Sequence, residues 1–199
     1  MKYSDRFAVL NSVFTPGGDI CLPEAKIDVK YFSFKSNGFD AGHKETSIYS
    51  NDIIISENLK FRYPVFVPRG TGKSDKAILL FHGLNERSWN KYLCWAEYLC
   101  EHIGRPVILF PIAFHINRSP RSWSDPRSML SLLNLRRKKY SNDRSVSLAN
   151  VALSERLSNN PLLFYTSGKQ TFHDLETLCT DIRAGMHPLF APNTQIDLF

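Results

Sequence analysis

The feature that most constrains this chain is the uninterrupted apolar run Ala77-Ile78-Leu79-Leu80-Phe81, which is too short for a buried helix and has no alternation of polar and apolar residues. A run of this kind suits a strand buried on both faces of a parallel sheet. Trp89, Tyr92, Leu93, Ala96, Leu99, Cys100 and Ile103 follow at helical spacing, with Ser88 placed to cap the start and Gly104 to end it. Pro106-Val107-Ile108-Leu109-Phe110 then offers a second buried strand. Strand, helix and strand fall within about thirty-five residues, the size of a βαβ unit, whose crossover is expected to be right-handed.

Around this unit the pattern is less regular. Phe61 to Val67 reads as extended and Pro68 to Lys76 as a breaker-rich loop. In the first sixty residues, turn signals at Pro16-Gly17-Gly18 and Asn37-Gly38 separate short extended runs such as Ile27 to Phe34 and Ile53 to Ile55. The expected organisation is therefore a peripheral β-rich leader over 1–60 and a main unit over 61–199. Val146 to Leu157 and Pro161 to Tyr165 read as helical. A final helix is expected on Phe172, Leu175, Cys179 and Ile182, with Thr171 and Asp174 as a capping box and Gly185 and Pro188 at its end. The loop Pro188 to Thr194 leads into Gln195-Ile196-Asp197-Leu198-Phe199, which reads as a strand. There is no internal repeat or low-complexity tract.

With 199 residues, 43% of them hydrophobic, the chain can bury a substantial core. Met1 to Phe14 lacks the continuous apolar stretch of a signal peptide, and the longest apolar runs are too short to span a bilayer, so a cytoplasmic location without membrane association is expected. Cys21, Cys94, Cys100 and Cys179 show no CxxC spacing, which suggests buried thiols rather than a metal or redox centre. The net charge of +6 speaks to solubility more than to function. The basic run Arg136-Arg137-Lys138-Lys139 follows the apolar segment Met129 to Leu135 and fits the last turn of a helix, favoured by the macrodipole, rather than a nucleic-acid surface.

Three motifs carry possible chemistry. Arg69-Gly70-Thr71-Gly72-Lys73-Ser74 ends like a phosphate-binding loop, but Val67 stands where that motif has its first glycine. A strand is also expected after it, where the motif needs a helix N-terminus. Gly38-Phe39-Asp40-Ala41-Gly42 has the outline of a nucleophile elbow with aspartate as nucleophile, yet no convincing helix follows it. His82-Gly83-Leu84-Asn85 lies directly between the buried strand and the amphipathic helix. That is where a glycine-permitted turn aims the next amide, that of Leu84, into a cleft in which acyl-transfer charge develops.

The run KAILLFHGLNERSWNKYLCWAEYLCEHI, Lys76 to Ile103, resembles the third strand, oxyanion loop and first helix of the α/β-hydrolase fold. Extended through RPVILFPIAFHINRSPRSW, it is similar to an uncharacterised family of bacterial α/β-hydrolase-like proteins. The resemblance covers most of Phe61 to Phe199. It implies an α/β fold with a partial parallel sheet, flanking helices and a β-rich N-terminal leader. It places Gly83 and Leu84 at an oxyanion hole and His82, Asn85 and His115 along the cleft.

In such a fold the nucleophilic serine follows a strand like Ile196 to Phe199, and the acid and histidine come later still. No serine here has G-x-S-x-G spacing; Ser167 has Tyr165 two residues before it. A serine hydroxyl needs a hydrogen-bonded base and an orienting acid to act. The expectation is thus the front part of an esterase, lipase or acyl-hydrolase type of protein, acting in full on a small ester or acyl substrate. By itself it would be inactive, without cofactor or metal. The alternative is a non-catalytic binding module for a small anionic ligand. A strand at Gln195 to Phe199 paired with Ala77 to Phe81 would leave an apolar sheet edge, and with it a tendency to self-associate.

Overall fold

The computed structural model describes residues 2–38, 55–123, 125–141, 146–148, 150, 151, 154 and 161–199. Its strands are β1 (Ile20–Cys21), β2 (Ile27–Lys35), β3 (Lys60–Pro68), β4 (Ser74–Leu80), β5 (Val107–Leu109) and β6 (Phe190–Leu198). The helices are α1 (Tyr3–Val13), α2 (Ser56–Leu59), α3 (Leu93–Ile103), α4 (Pro126–Lys139) and α5 (Pro161–Arg183). The six strands form one mixed sheet curled into a half-barrel, in the order β1-β2-β3-β5-β4-β6. β2 and β3 pair antiparallel along their full length, from Ile27 opposite Pro68 to Lys35 opposite Lys60. β3 meets β5 antiparallel, whereas β4 is parallel to both β5 and β6.

The uninterrupted apolar run is explained by its position. Ile78 and Leu80 point into one core with Val107, Leu109, Phe66 and the inner face of α3, including Leu93, Ala96 and Cys100. Ala77 and Leu79 point into a second core with Ile108, Phe110 and the α5 residues Leu178 and Ile182. Successive strand residues face opposite sides, so a strand covered on both faces must be apolar throughout. α3 ends on Gly104, whose φ of 69° is left-handed and whose N–H closes on Cys100 O. Its start differs from the sequence expectation. A 3-10 turn, Asn90–Tyr92, precedes it without a side-chain cap, so Ser88 does not open the helix.

The first residues contribute more than extended segments. α1 buries Leu10 in the same core as Leu22, Ile27 and Val29, and Arg6 pairs through two nitrogens with Glu97 of α3. β2 is integral to the sheet rather than peripheral to it: Ile27 and Val29 face one core, and Phe32 and Phe34 pack against the other. Ile53 and Ile54, the proposed elbow Gly38-Phe39-Asp40-Ala41-Gly42 beyond Gly38, and half of Val146 to Leu157 lie outside the described residues. The glycine-rich Arg69 to Ser74 segment links β3 to β4 and leads into a strand, which denies it a helix dipole for phosphate.

The last helix is longer than its capping signature implies. α5 runs from Pro161, so Thr171 and Asp174 sit in its middle and Phe172 is exposed, not buried. The buried stripe is Ser167, Gln170, Thr171 and Asp174 along the middle of the helix and Leu178 and Ile182 toward its end. Gly185, at a φ of 72°, turns the chain into β6, which starts at Phe190, earlier than the expected Gln195. An added Cβ at Gly185 would lie 2.9 Å from Pro192 Cγ. β6 pairs with β4 as Lys76 opposite Gln195 through Leu79 opposite Leu198.

Asp125 caps α4, accepting from the Ser128 N–H at 2.9 Å, and Arg136 to Lys139 form the helix's last turn. The four thiols are free. Cys94 and Cys100 are buried, Cys179 is half-buried, and Cys21 is exposed, contrary to the expectation that all four are interior. Among the described residues no helix is long and apolar enough to cross a membrane.

Candidate functional site

The His82 loop leaves the carboxyl end of β4, where the parallel strand order reverses: β5 lies on one side and β6 on the other. His82 is buried, and both of its ring nitrogens are committed. Nδ1–H donates to Gly83 O at 2.9 Å and Nε2 accepts from the Ile112 N–H at 3.0 Å. Burial lowers its pKa to about 4, the Gly83 carbonyl offsetting part of the effect. His82 is thereby a neutral clasp between two loops and has no lone pair left to serve as a base.

The Gly83 N–H donates to Tyr92 Oη at 2.7 Å, so it is already spent. The Leu84 N–H makes no hydrogen bond among the described residues, and Leu84 itself is exposed. The left-handed residue of this turn is Asn85, at a φ of 63°, rather than Gly83. Gly83 itself has no positive φ, so the turn does not depend on glycine there. A Cβ there would stand 3.4 Å from Tyr92 Oη, in ordinary van der Waals contact with the group that holds the loop.

A shallow cleft opens beside this loop, lined by Asn85, Glu86, Arg87, Phe114, His115, Ser119 and Trp123. The structure thus brings Asn85 and His115 to one cavity. It sets the His82 and His115 rings 5.3 Å apart, with His82 in the wall behind. His115 Nδ1–H donates to Ala113 O at 2.9 Å, which fixes its ring. Its neighbours Phe114 and Ile116 have φ values of 64° and 49°. A left-handed conformation in such residues costs on the order of 1–3 kcal/mol each, so the surrounding contacts must impose it.

Those contacts form one buried polar network. Arg118 is fully buried; it donates to Asp174 Oδ2 at 2.6 Å, Asn58 Oδ1 at 3.1 Å, Asn58 O at 3.2 Å and Pro111 O at 3.0 Å. Its guanidinium carbon also stacks 4.1 Å over the Phe61 ring. Burial pulls its pKa down to about 10, partly offset by the Asp174 carboxylate, which leaves it charged at neutral pH. Asn58 accepts the Phe114 N–H at 3.1 Å and passes the network to Gln170, which reaches Ser36. Thr171 accepts the Ala113 N–H at 2.9 Å, and Ser167 donates to Ala113 O at 2.8 Å. Ser167, the serine nearest to an elbow pattern, is therefore a buried helix residue engaged with backbone.

Sequence reasoning missed Arg118, Asp174 and Asn58 as a set, and Arg87 altogether. Arg118 and its partners stand 56 and 60 residues apart, and no local pattern links them. Arg87 lies only two residues beyond the predicted loop, and its charge next to an oxyanion motif was the available signal. Arg87 is half-buried, and its Nη2 atom is buried with no hydrogen-bond partner among the described residues. The neighbouring Glu86 is engaged instead by Lys91 at 2.8 Å. No group of three or more His, Cys, Asp or Glu side chains among the described residues is arranged to hold a metal.

The whole chain, residues 1–199, matches the model of the Family of unknown function (DUF6051), and the protein belongs to that family. Neither the curated proteins nor the solved structures contain a match.

Two predictions follow from the buried charges. Asp174→Leu leaves Arg118 buried without its counter-charge and should cost about 3–5 kcal/mol. Arg118→Met combined with Asp174→Leu should cost less than the sum of the single changes by about 1–3 kcal/mol in urea unfolding. Additive losses would mean the pair is uncoupled. The second concerns His82 and His187, whose pKa values burial lowers to about 4. As pH falls below the ordinary imidazole range, the unfolded chain takes up protons that the native state refuses, so stability is full near neutrality and declines toward pH 4. Between about pH 7 and about pH 5 the two imidazoles together should remove on the order of 2 kcal/mol, after allowance for solvent screening at His187. An unchanged urea midpoint over that range would contradict the assignment.

Proposed function

We propose that this chain carries the oxyanion-binding side of an acyl-hydrolase-like site, with the Leu84 amide as the donor to a developing oxyanion. The observation that carries this reading is the position of an unpaired amide on a clasped loop at the carboxyl end of β4. Open sheets with parallel strands bind ligands outside the carboxyl ends of those strands, at the point where the strand order reverses. In α/β hydrolases the loop after the corresponding strand supplies one oxyanion amide. The pairing of β6 beside β4 agrees with that resemblance, because the strand that leads to the nucleophile in such a fold lies next to the strand before the oxyanion loop.

An amide fixed in advance stabilises a tetrahedral intermediate without having to reorient as charge develops. Here the fixing is done by three contacts: His82 to Gly83 O, Tyr92 to the Gly83 N–H, and the Ile116 N–H to Glu86 O at 3.2 Å. The substrate class implied is a small ester, thioester or amide. None of the described serines is placed with a base and an acid as a nucleophile, so the reading assigns this chain binding and charge stabilisation only. The commitment of both His82 nitrogens also favours a second reading, a binding module for a small anion without catalysis.

Hydrolysis assays on the native protein, captured from its source cells, separate the two. With p-nitrophenyl acetate and butyrate as substrates, Leu84→Pro removes the amide and should lower kcat/KM about 100-fold, the scale of one lost oxyanion donor. Leu84→Ala keeps the amide and should stay within about threefold of wild type on the same scale. Absence of hydrolysis of esters, thioesters and anilides by the native protein would remove the acyl-hydrolase reading in favour of the binding module.

A further inference from the structure

We propose that the cleft beside the His82 loop is a recognition site for a small monocarboxylate, with Arg87 as its charged partner. Three observations converge there. The described lining of the cleft includes Arg87, whose Nη2 atom is buried with no hydrogen-bond partner among the described residues. A buried donor left unpaired is destabilising, and one on a charged group more so, so its retention calls for a ligand atom to complete it. The nearest acid in sequence does not do so: Glu86 Oε1 accepts from Lys91 Nζ, with Tyr92 Oη at 3.5 Å.

The second observation is the backbone. Of the five non-glycine residues with positive φ among the described residues, Asn85 and Phe114 line this cleft and Ile116 adjoins it. Strain of this kind collects where a site must hold a set shape. It is maintained here by the buried Arg118 network through the Phe114 N–H and by the bond from the Ile116 N–H to Glu86 O. The third is the wall. Phe114 and Trp123 stand 6.4 Å apart, both lining the cleft, and present apolar surface beside the charge.

The ligand class follows from these groups. A planar carboxylate matches the guanidinium fork and accepts charge-assisted hydrogen bonds from it. The Glu86 carboxylate in the same lining disfavours a second negative charge, which selects a monoanion over phosphate or sulfate. The aromatic wall suits a short aliphatic body. The inference deepens the acyl-site reading and rests on it for the meaning of the ligand: an acyl substrate that carries a free carboxylate. Its binding test needs no catalysis.

Butyrate and inorganic phosphate are titrated into the 199-residue protein at constant ionic strength, and the Arg87 Nε–H and Leu84 N–H resonances are followed by NMR. Butyrate should shift the Arg87 resonance saturably and bind more tightly than phosphate. Arg87→Gln should weaken butyrate at least about tenfold, the equivalent of one lost charge-assisted bond, with Arg87→Lys in between. Leu135→Ala, at an exposed position of α4 outside the cleft, should leave the affinity within about twofold. Butyrate binding unchanged in Arg87→Gln, tighter phosphate than butyrate, or no saturable shift would each overturn the proposal. Those outcomes leave the ester assays to decide the acyl-hydrolase reading independently.

Discussion

A fully buried cation organises this protein. Arg118 sits in the connection after β5 with no solvent exposure, and an ionised side chain in that position is tolerable only if each of its donors is answered. Asp174 supplies the counter-charge, while Asn58 and Pro111 supply neutral acceptors. These partners come from α5, α2 and the Arg118 connection itself, so the guanidinium fixes three otherwise separate segments against one another. The consequence for packing is visible in α5, whose buried stripe is polar where it meets this network and apolar where it meets the sheet.

From that anchor the geometry passes to the cleft in two steps. Asn58 and Thr171 take the amides of Phe114 and Ala113, which hold the strained turn around His115. His82 and Glu86 O then take the amides of Ile112 and Ile116, joining the turn to the loop that follows β4. The two loops that define the cleft are thus positioned by backbone amides that donate to the buried side chains of Asn58, Thr171 and His82 and to the Glu86 carbonyl. Leu84 N–H and Arg87 Nη2 are the groups of that assembly that make no hydrogen bond among the described residues.

The elements that could be read from sequence are those whose determinants are local. The run Ala77 to Phe81, the spacing of Trp89 to Ile103 and the stop at Gly104 placed the parallel unit, and His82 to Asn85 marked its loop. α1 was illegible because it buries only Leu10 and is held by Arg6 to Glu97, a contact spanning 91 residues. Thr171 and Asp174 imitate a helix start because the residues that cap helices are also those that make buried polar contacts. The early start of β6 was hidden by Pro192, Asn193 and an irregular register between Ser74 and Lys76. In the cleft, Asn85 and His115 could be named from their loops, but the charge network behind them depends on tertiary contacts alone.

The most direct test of this account is native-state hydrogen exchange at the Ala113 and Phe114 amides. If the Arg118 network holds the cleft as a unit, both should exchange only through global unfolding, with the same free energy as the amides of β4, despite lying in an irregular connection. Exchange through a low-energy local opening, orders of magnitude faster than β4, would mean that the cleft is not anchored by the buried charge, and the central claim would fail.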